Sequence, residues 1–445
     1  MSKTFSIGGI HPNDSKISAN AAIEDFPIMD MAYISVSQHL GAPAEPVVAK
    51  GDKVKTGQLV AKASGFISAN IHSSVSGTVT SIEMLPDIAG NLVKHIVVKV
   101  EGDDWEESID RSPDIEREVA MGPKEIIERI ARCGIVGLGG AAFPTHIKLS
   151  PPPGNKAEYL LINGAECEPY LTSDYRIMLE YPEQILIGTK IMMKALGVDH
   201  AFVGIEENKP EAIKAMKKIA AAGYPQIKIV QLKKRYPQGG EKQLIDAILK
   251  RRVPSLGLPI ETGVVVQNVG TALAVYEAVQ KNKPLFEGIV TVTGKCMTEQ
   301  RNFRLRVGTN MNSVMFAIGG FPKDAVKLIS GGPMMGKAVS RMEAASVKST
   351  SAFLLLTEEE TKRGEEGNCI RCAKCVDSCP MGLEPYLLNR LSRAGRVEDL
   401  EANMVHDCIE CGSCMYSCPA NIPLLDTIRL SKAQVLKIIR SRPKK

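Results

Sequence analysis

The chain has 445 residues, a length that at about 150 residues per domain predicts three domains. Hydrophobic residues make up 44% and charged residues 24% of it, which excludes collagenous, coiled-coil and disordered chains. The net charge of +5 is too small to indicate a nucleic-acid partner. The opening MSKTFSIGGIHP lacks the apolar region of a secretory signal, and no run predicts a transmembrane helix. We therefore expect a soluble or peripheral protein.

Residues 44–100 contain short stretches of β-branched residues separated by Gly and Asp turns. The G-D-x-V-x-x-G-Q pattern that begins at Gly51 and the later S-G-T-V resemble the biotinyl/lipoyl (barrel-sandwich) domain. Such domains carry a modified lysine at a hairpin tip, whereas this chain has no lysine between Lys62 and Lys94. Residues 1–110 are therefore predicted to use this fold as a structural or docking module.

Strands and helices alternate from about Pro123. Helices are predicted over 125–132, 174–196, 210–222 and 241–251, and strands over 159–164, 201–205 and 227–232. This alternation indicates an α/β domain with a largely parallel sheet over residues 120–283. The segments GIVTVTGK, FRLRVG and AFLLLT then predict a small β-rich domain over residues 284–357. The fold class is thus α/β within a multidomain chain.

Several loops of the α/β domain combine glycine with polar residues. Gly134, Gly137, Gly139 and Gly140 precede Ala-Ala-Phe-Pro, and their free N–H groups can approach a phosphate or a ring closely. NGAECEP, YPQGGEKQ and QNVGT follow apolar segments, where open α/β sheets bind ligands. Tight turns, a solvated acidic turn and helix capping are the alternatives. Four such loops in one domain predict a shared ligand site.

Eight of the eleven cysteines lie between residues 369 and 418. CIRCAKCVDSCP and CIECGSCMYSCP share the C-x2-C-x2-C-x3-C-P spacing of bacterial two-cluster ferredoxins, in which the fourth cysteine ligates the other cluster. Residues 366–430 are therefore predicted to hold two 4Fe–4S clusters. The first takes Cys369, Cys372, Cys375 and Cys418, and the second takes Cys408, Cys411, Cys414 and Cys379. Two structural zinc sites are the alternative, but they explain neither the third cysteine nor the proline of each run.

Residues 431–445 form a basic tail without acidic residues. The cations after Asp426 are Arg429, Lys432, Lys437, Arg440, Arg442, Lys444 and Lys445. A basic amphipathic end can bind an anionic membrane surface. It can equally be a docked terminal helix whose cations complement the helix dipole.

GLGGAAFPTHIK, NGAECEP, YPQGGEKQ and QNVGT, in this order, resemble the NADH- and FMN-binding subunit of respiratory complex I. Together with the barrel-like module, the GGIHP opening and the two ferredoxin runs, the whole chain resembles the RnfC family, which belongs to the Rnf electron transport complex. The resemblance implies a β-grasp (SLBB-like) domain over residues 284–357. It also implies FMN, two 4Fe–4S clusters and NAD(H) as substrate.

The function implied by this resemblance is that of the NADH-side, peripheral subunit of a membrane-bound, ion-translocating ferredoxin:NAD oxidoreductase. Its location would be the cytoplasmic face of the bacterial inner membrane. Its partners would be the membrane and iron–sulfur subunits of the complex, with ferredoxin as an indirect partner. A soluble flavin/iron–sulfur reductase, such as a microcompartment cobalamin reductase, and a non-enzymatic electron relay are the alternative functions.

The resemblance further implies roles for individual residues. Hydride transfer from NADH to a flavin needs no acid or base, so no catalytic side chain is expected. Phe143 would stack on the nicotinamide or adenine of NADH, and Glu168 would bind its ribose. The residues implied to hold FMN are Gly137, Gly139, Gly140, Lys148, Asn163, Glu166, Gly239, Gly240, Glu241 and Asn268. Ala165 and Gln267 depart from the complex I pattern, in which an acidic residue and an asparagine stand.

Overall fold

The computed structural model describes residues 2–442, of which the first folded unit is a small β-barrel. After β1 (Ile23–Asp25), the strands of this unit are β2 (Met31–Ser35), β3 (Glu45–Pro46), β4 (Lys53–Val54), β5 (Leu59–Lys62), β6 (Ile71–His72), β7 (Gly77–Pro86) and β8 (Leu92–Val100). They form two antiparallel sheets, ordered β2-β8-β7-β4 and β3-β5-β6. Ile34, Val60, Ile71 and Ile96 are completely buried between the sheets. Residues 2–22 lie outside this barrel and run along the next domain.

The second unit is a parallel sheet covered by helices. Its elements are α1 (Pro123–Arg132), α2 (Thr145–Lys148), β9 (Tyr159–Gly164), α3 (Ser173–Glu180), α4 (Pro182–Leu196), β10 (His200–Glu206), α5 (Pro210–Gly223), β11 (Ile227–Leu232), α6 (Glu241–Leu249), β12 (Val264–Asn268) and α7 (Val269–Gln280). All four strands run parallel in the order β11-β10-β9-β12. The single helix predicted over 174–196 is wrong, because the backbone leaves the helical region at Tyr181 and Pro182 begins a new helix.

The third unit is a six-stranded mixed sheet. Its elements are β13 (Glu287–Thr293), β14 (Arg301–Arg306), α8 (Met311–Ala317), β15 (Ala325–Ser330), β16 (Lys337–Ala338) and β17 (Ala352–Thr357). The strand order is β1-β14-β13-β17-β15-β16, so the N-terminal strand β1 is an edge of this sheet rather than of the barrel. Phe26, just after β1, packs edge-to-face on Phe303 of β14 at 5.2 Å between ring centroids.

The fourth unit is helical and carries both cysteine runs. Its helices are α10 (Lys374–Asp377), α11 (Pro385–Arg393), α12 (Val397–Ala402), α13 (Ser413–Tyr416) and α14 (Leu424–Ser441), whereas α9 (Glu358–Thr361) follows β17 and packs on the third unit. The chain breaks between α11 and α12 at Gly395. Residues 431–441 of the predicted tail continue α14, which packs on α11 through Ile428 and Val435. Within residues 2–442, no helix is long and apolar enough to cross a membrane.

Candidate iron–sulfur and flavin sites

Four of the predicted cluster ligands surround one small cavity, which we call the inner cluster site: Cys379, Cys408, Cys411 and Cys414. Three come from the second run and one from the first, as the crossed assignment predicts. Backbone N–H groups of Leu383 and Glu410 lie 3.4 Å from the sulfurs of Cys379 and Cys408. Thiols arranged around a cavity, with N–H groups directed at their sulfurs, fit a cuboidal cluster held by thiolates.

Burial leaves the thiols of the inner cluster site protonated in the absence of iron. Burial, reinforced by the neighbouring Cys411 and Cys379, raises the pKa of Cys408 to about 11. Burial and the same group of thiols also raise the pKa of Cys414. Because a cluster binds thiolates, loading the site displaces these protons.

The remaining four predicted ligands, Cys369, Cys372, Cys375 and Cys418, make up what we call the outer cluster site. Cys375 and Cys418 come from different runs, yet they are close enough for Cys418 to raise the pKa of the Cys375 thiol, after the larger effect of burial. Cys369 and Cys372 are exposed to solvent. The outer cluster site is therefore at the surface, whereas the inner cluster site is enclosed.

The α/β domain and the N-terminal segment that lies on it make hydrogen bonds to the inner cluster site. The Tyr236 hydroxyl donates to the carbonyl of Cys411 at 2.8 Å, and Gln243 Nε2 donates to the carbonyl of Pro380 at 3.2 Å. The N–H of Gly9, which lies on the α/β domain, donates to the carbonyl of Ser378 at 2.9 Å. The inner cluster site is thus the one that faces the predicted flavin loops.

The predicted flavin loops meet at the carboxyl edge of the parallel sheet. Asn163, at the end of β9, donates from Nδ2 to the carbonyl of Gly239 at 2.8 Å. Lys148 Nζ lies 2.7 Å from Oε1 of Glu241 and 3.2 Å from the carbonyl of Val266. These bonds connect the end of α2, the end of β9, the start of α6 with the loop before it, and β12. We call this group the carboxyl-edge loops.

The carboxyl-edge loops contain space and polar groups that suit FMN. Gly139 and Gly140 are exposed, and a Cβ atom on Gly140 would enter open space. Nine side-chain atoms of residues 2–442 are buried without a hydrogen-bond partner, and five of them belong to the predicted flavin motifs: Thr145 Oγ1, His146 Nδ1, Gln238 Nε2, Gln243 Oε1 and Gln267 Nε2. Buried polar atoms are rarely left without a partner, so these atoms fit a polar ligand. Phe143 is half-buried beside them, and its carbonyl accepts from the N–H of Gly137 at 2.9 Å.

Asn268 performs the helix-capping role that was the alternative to ligand binding. Its Oδ1 accepts from the N–H of Gly270 at 2.7 Å and caps α7. Its Nδ2 donates to Oδ2 of Asp174 at 2.7 Å. Burial, with the nearby Glu166 carboxylate, raises the pKa of Asp174 to about 7. The amide of Asn268 is thus fixed next to Gly139, whose added Cβ would lie 2.9 Å from Nδ2.

Glu166 and Glu168 point away from each other, and neither carboxylate is free. Glu166 accepts from the N–H groups of Asp174 at 2.7 Å and Tyr175 at 3.3 Å, which places it at the N-terminus of α3. Glu168 accepts from the N–H of Met334 in the third unit at 3.1 Å, and its Oε1 lies 3.3 Å from the Tyr236 hydroxyl oxygen. Burial raises the pKa of Glu168 to about 7. Both residues therefore hold the NGAECEP loop in place.

Two buried lysines that the sequence patterns do not mark hold the same loop. Lys16 Nζ donates to the carbonyls of Glu166, Glu168 and Leu171 at 2.6–2.9 Å, although it precedes the first of them by 150 residues. Lys209 Nζ donates to the carbonyl of Ala165 at 2.7 Å.

Tyr236 is a further residue that the sequence analysis missed. It lies within the YPQGGEKQ motif, in which only the glycines and Glu241 were predicted to act. The position of Tyr236 in that motif could have indicated its role.

The cations of the predicted basic tail contact the ferredoxin-like unit. Lys432 Nζ donates to the carbonyl of Cys408 at 2.7 Å and lies 2.8 Å from Oε1 of Glu410. Arg429 also pairs with Glu410, and Arg442 pairs with Glu401 on α12. These contacts support the docked-helix alternative. Lys444 and Lys445 lie outside the described residues.

Glycine loops at the carboxyl edge of a parallel sheet, followed by two four-cysteine sites, define a flavin- and iron–sulfur-containing oxidoreductase subunit. Four family models match the chain in the expected order. They are the RnfC barrel sandwich hybrid domain (residues 3–103), the Nuo51 FMN-binding domain (130–277), the SLBB domain (289–338) and the 4Fe–4S dicluster domain (361–419). The multidomain α/β fold class and the FMN and 4Fe–4S cofactors are therefore confirmed.

Relatives cover most of the chain. It is 47% identical to a subunit of the proton-translocating ferredoxin:NAD(+) oxidoreductase complex of Clostridium ljungdahlii, over 88% of this chain and 85% of the relative. It is 42% identical to the equivalent subunit of the Na(+)-translocating complex of Acetobacterium woodii, over 96% of both chains. The NAD+-reducing [NiFe]-hydrogenase in its H2-reduced state shares the fold at a TM-score of 0.50 and 18% identity, over 72% of this chain and 64% of that one. The chain belongs to the RnfC family, whose members are subunits of ion-translocating oxidoreductase complexes.

Proposed function

We propose that this chain exchanges electrons with NAD(H) at the carboxyl-edge loops and conducts them through the inner cluster site to the outer cluster site. The observation that carries this order is the set of three hydrogen bonds from Tyr236, Gln243 and Gly9 to the inner cluster segments. FMN, when bound, accepts the hydride of NADH and exchanges electrons one at a time with clusters. The names of the two relatives support ferredoxin and NAD(+) as the terminal reactants of the assembled complex.

Residues of the carboxyl-edge loops have distinct parts in this proposal. Gly139 and Gly140 present backbone N–H groups to the flavin, and Lys148 supplies a cation to its phosphate. Gly137 shapes the loop, because its own N–H donates to the carbonyl of Phe143. Glycine there permits the close approach that a side chain would block. The residues proposed to line the ring and ribityl chain are Asn163, Glu166, Gly239, Gly240, Glu241 and Asn268. In this structure Glu166 and Asn268 act by fixing the loops.

The NADH side of the site is proposed to use Phe143 and Glu168. The half-buried ring of Phe143 offers a stacking surface beside the exposed Gly139 and Gly140. Glu168 binds the ribose only if its carboxylate exchanges the N–H of Met334 for a sugar hydroxyl. Binding of NADH is therefore expected to loosen the contact between the NGAECEP loop and the third unit.

The first test is an anaerobic titration of the iron- and sulfide-reconstituted chain with NADH, followed by visible spectroscopy. About eight irons and one FMN per chain are expected, because two four-iron clusters are proposed. Bleaching of the flavin followed by bleaching of both clusters supports the proposed path. Dithionite serves as the control, since it reduces the clusters without using the nucleotide site. If dithionite bleaches the clusters of a flavin-loaded sample and NADH does not, the proposal is wrong.

The exposed outer cluster site is proposed to face the membrane and iron–sulfur subunits of the complex at the cytoplasmic surface. Cys369 and Cys372 lie at the protein surface, where a partner cluster can approach. Membrane vesicles from a strain that lacks this chain provide the test. Added holoprotein should restore NADH oxidation coupled to ferredoxin in inside-out vesicles and leave right-side-out vesicles inactive. Restoration in right-side-out vesicles would contradict the proposed face.

A further inference from the structure

The first residues of the chain form a segment that lies on the α/β domain and reaches the inner cluster site. We call residues 2–12 the N-terminal strap. The N–H of Lys3 donates to the carbonyl of Gln231 in β11 at 2.9 Å, and the carbonyl of Lys3 accepts from the N–H of Lys233 at 2.8 Å. Ile10 exchanges two backbone bonds with Tyr236 at 2.8 and 2.9 Å. The strap is thus fixed at both ends to the α/β domain.

Between these anchors the strap turns against the segment that supplies the crossed cluster ligand. The N–H of Gly9 donates to the carbonyl of Ser378 at 2.9 Å, one residue before Cys379. Gly8 has a φ of +67°, and a Cβ atom there would overlap the carbonyl oxygen of Cys379. Only glycine therefore permits both this backbone conformation and this approach. Nothing in the proposed chemistry of the flavin or the clusters accounts for so close a contact.

An arginine of the α/β domain holds the turn in place from the other side. Arg235 donates to the carbonyl of Phe5 at 3.0 Å and to the carbonyl of Gly8. Its guanidinium also lies 4.4 Å from the centroid of the Phe5 ring, within range for a cation–π contact. The position of Gly8 is therefore determined by the α/β domain. The cluster segment docks against a surface that is already fixed.

We propose that the N-terminal strap sets the separation between the flavin and the inner cluster, with Gly8 and Gly9 as positioning residues for electron transfer. This inference rests on the proposed function. In that reaction NADH yields NAD+, one proton and two electrons, and each of the two clusters takes one electron. The strap touches the path between the carboxyl-edge loops and the inner cluster site, and it contributes no ligand to either cofactor. Its role is to hold the segment of Cys379 in place through Gly8 and Gly9, while Tyr236 binds Cys411.

The variant Gly8→Ala tests this role, and Gly197→Ala is its matched control. Gly197 has the same φ of +67° at the end of α4, but an added Cβ there meets no atom within 4 Å. Both variants carry the same backbone penalty, and only Gly8→Ala displaces Cys379. In anaerobic stopped-flow mixing with NADH, flavin reduction should keep its wild-type rate in both. Cluster reduction should slow several-fold in Gly8→Ala alone, because the rate of electron transfer falls exponentially as the separation of donor and acceptor grows.

Hydrogen–deuterium exchange of the holoproteins provides a readout that does not depend on turnover. The amide of Gly9 and the peptide that contains Ser378 and Cys379 should exchange faster in Gly8→Ala and remain protected in Gly197→Ala. If Gly8→Ala fails to load eight irons, Arg235→Met takes its place. It removes both carbonyl anchors of the strap and leaves the cluster segment intact.

The outcomes separate this inference from the proposed function. Slower cluster reduction with unchanged flavin reduction, in Gly8→Ala or Arg235→Met, supports the positioning role. Wild-type cluster reduction in a variant whose Gly9 amide exchanges faster than in the wild type overturns it while the electron path stands, and so does unchanged exchange at Gly9 in both variants, because the strap then does not hold the cluster segment. If NADH does not reduce the clusters of the wild-type protein, the proposed function itself fails.

Discussion

The hydroxyl of Tyr236 donates a hydrogen bond of 2.8 Å to the carbonyl oxygen of Cys411. Tyr236 begins the YPQGGEKQ loop of the α/β domain, and Cys411 belongs to the inner cluster site. The tyrosine is 2% exposed and packs with Ile10 and Cys411 in one apolar cluster. A single buried side chain thus joins the strap, a carboxyl-edge loop and a cluster ligand.

Replacing Tyr236 with Phe should weaken this junction without removing its ring. The carbonyl of Cys411 would lose its donor in a buried position, so the free energy of unfolding should fall by about 1–3 kcal/mol. Anaerobic urea denaturation of the holoprotein measures this loss. Tyr416→Phe is the control, because that side chain is 57% exposed. Equal losses in the two variants would contradict a specific role for the Tyr236 hydroxyl.

If the clusters have the crossed ligands that the sequence predicts, two cysteine variants should give opposite results. Cys379→Ala should remove the inner cluster, although Cys379 belongs to the first run, and NADH should then reduce neither cluster. Cys418→Ala should remove the outer cluster and leave the inner one reducible by NADH. Iron analysis should give about four irons per chain in each variant, and low-temperature electron paramagnetic resonance identifies the cluster that remains. If NADH still reduces a cluster in Cys379→Ala, the inner assignment is wrong.

Gly139 and Gly140 are neighbours, and their alanine variants should differ. In Gly139→Ala the methyl group meets Asn268 Nδ2 and disturbs the cap of α7, so the flavin-free protein should lose about 1 kcal/mol of stability. In Gly140→Ala the methyl group enters open space, and stability should stay within about 0.5 kcal/mol of wild type. FMN affinity, measured by fluorescence titration, should nevertheless fall in Gly140→Ala. If Gly140→Ala binds FMN with wild-type affinity, the flavin does not contact this loop.

Lys348 should make stability depend on pH. Its Nζ donates to the carbonyls of Asn70 in the barrel and Gly134 in the α/β domain, both at 2.7 Å, and burial lowers its pKa to about 7. Between pH 7 and the ordinary lysine pKa of 10.5, the unfolded chain binds more protons than the folded chain. The free energy of unfolding should therefore rise with pH, by up to about 2–3 kcal/mol between pH 7 and pH 9.

The matched measurement compares wild type with Lys348→Met at pH 7, 8 and 9. The variant has no titrating group at this position, so the difference in unfolding free energy between the two proteins should change with pH. Lys50→Met, at an exposed lysine of the barrel, should follow the wild-type curve. Parallel curves for wild type and Lys348→Met would show that Lys348 stays charged in the folded protein throughout this range.

The sequence by itself determined the features that local patterns encode. The spacing of the two cysteine runs predicted two 4Fe–4S clusters, because three ligands of each cluster lie within seven residues of one another. Apolar runs such as YLLING predicted the strands at their observed bounds, since parallel strands are buried on both faces. The glycine loops were predicted to meet because the carboxyl ends of parallel strands share one edge of the sheet.

Tertiary structure alone decided which cluster site faces the flavin loops and what holds those loops. Lys16 and the loop it binds are separated by 150 residues, and Gly9 and Ser378 by a still longer stretch of chain. Tertiary structure also gave Asn268 its capping role and Glu168 its contacts with Met334 and Tyr236. A hydrogen bond between distant residues leaves no periodic signal in the sequence, because its partners are chosen by the packing of whole domains.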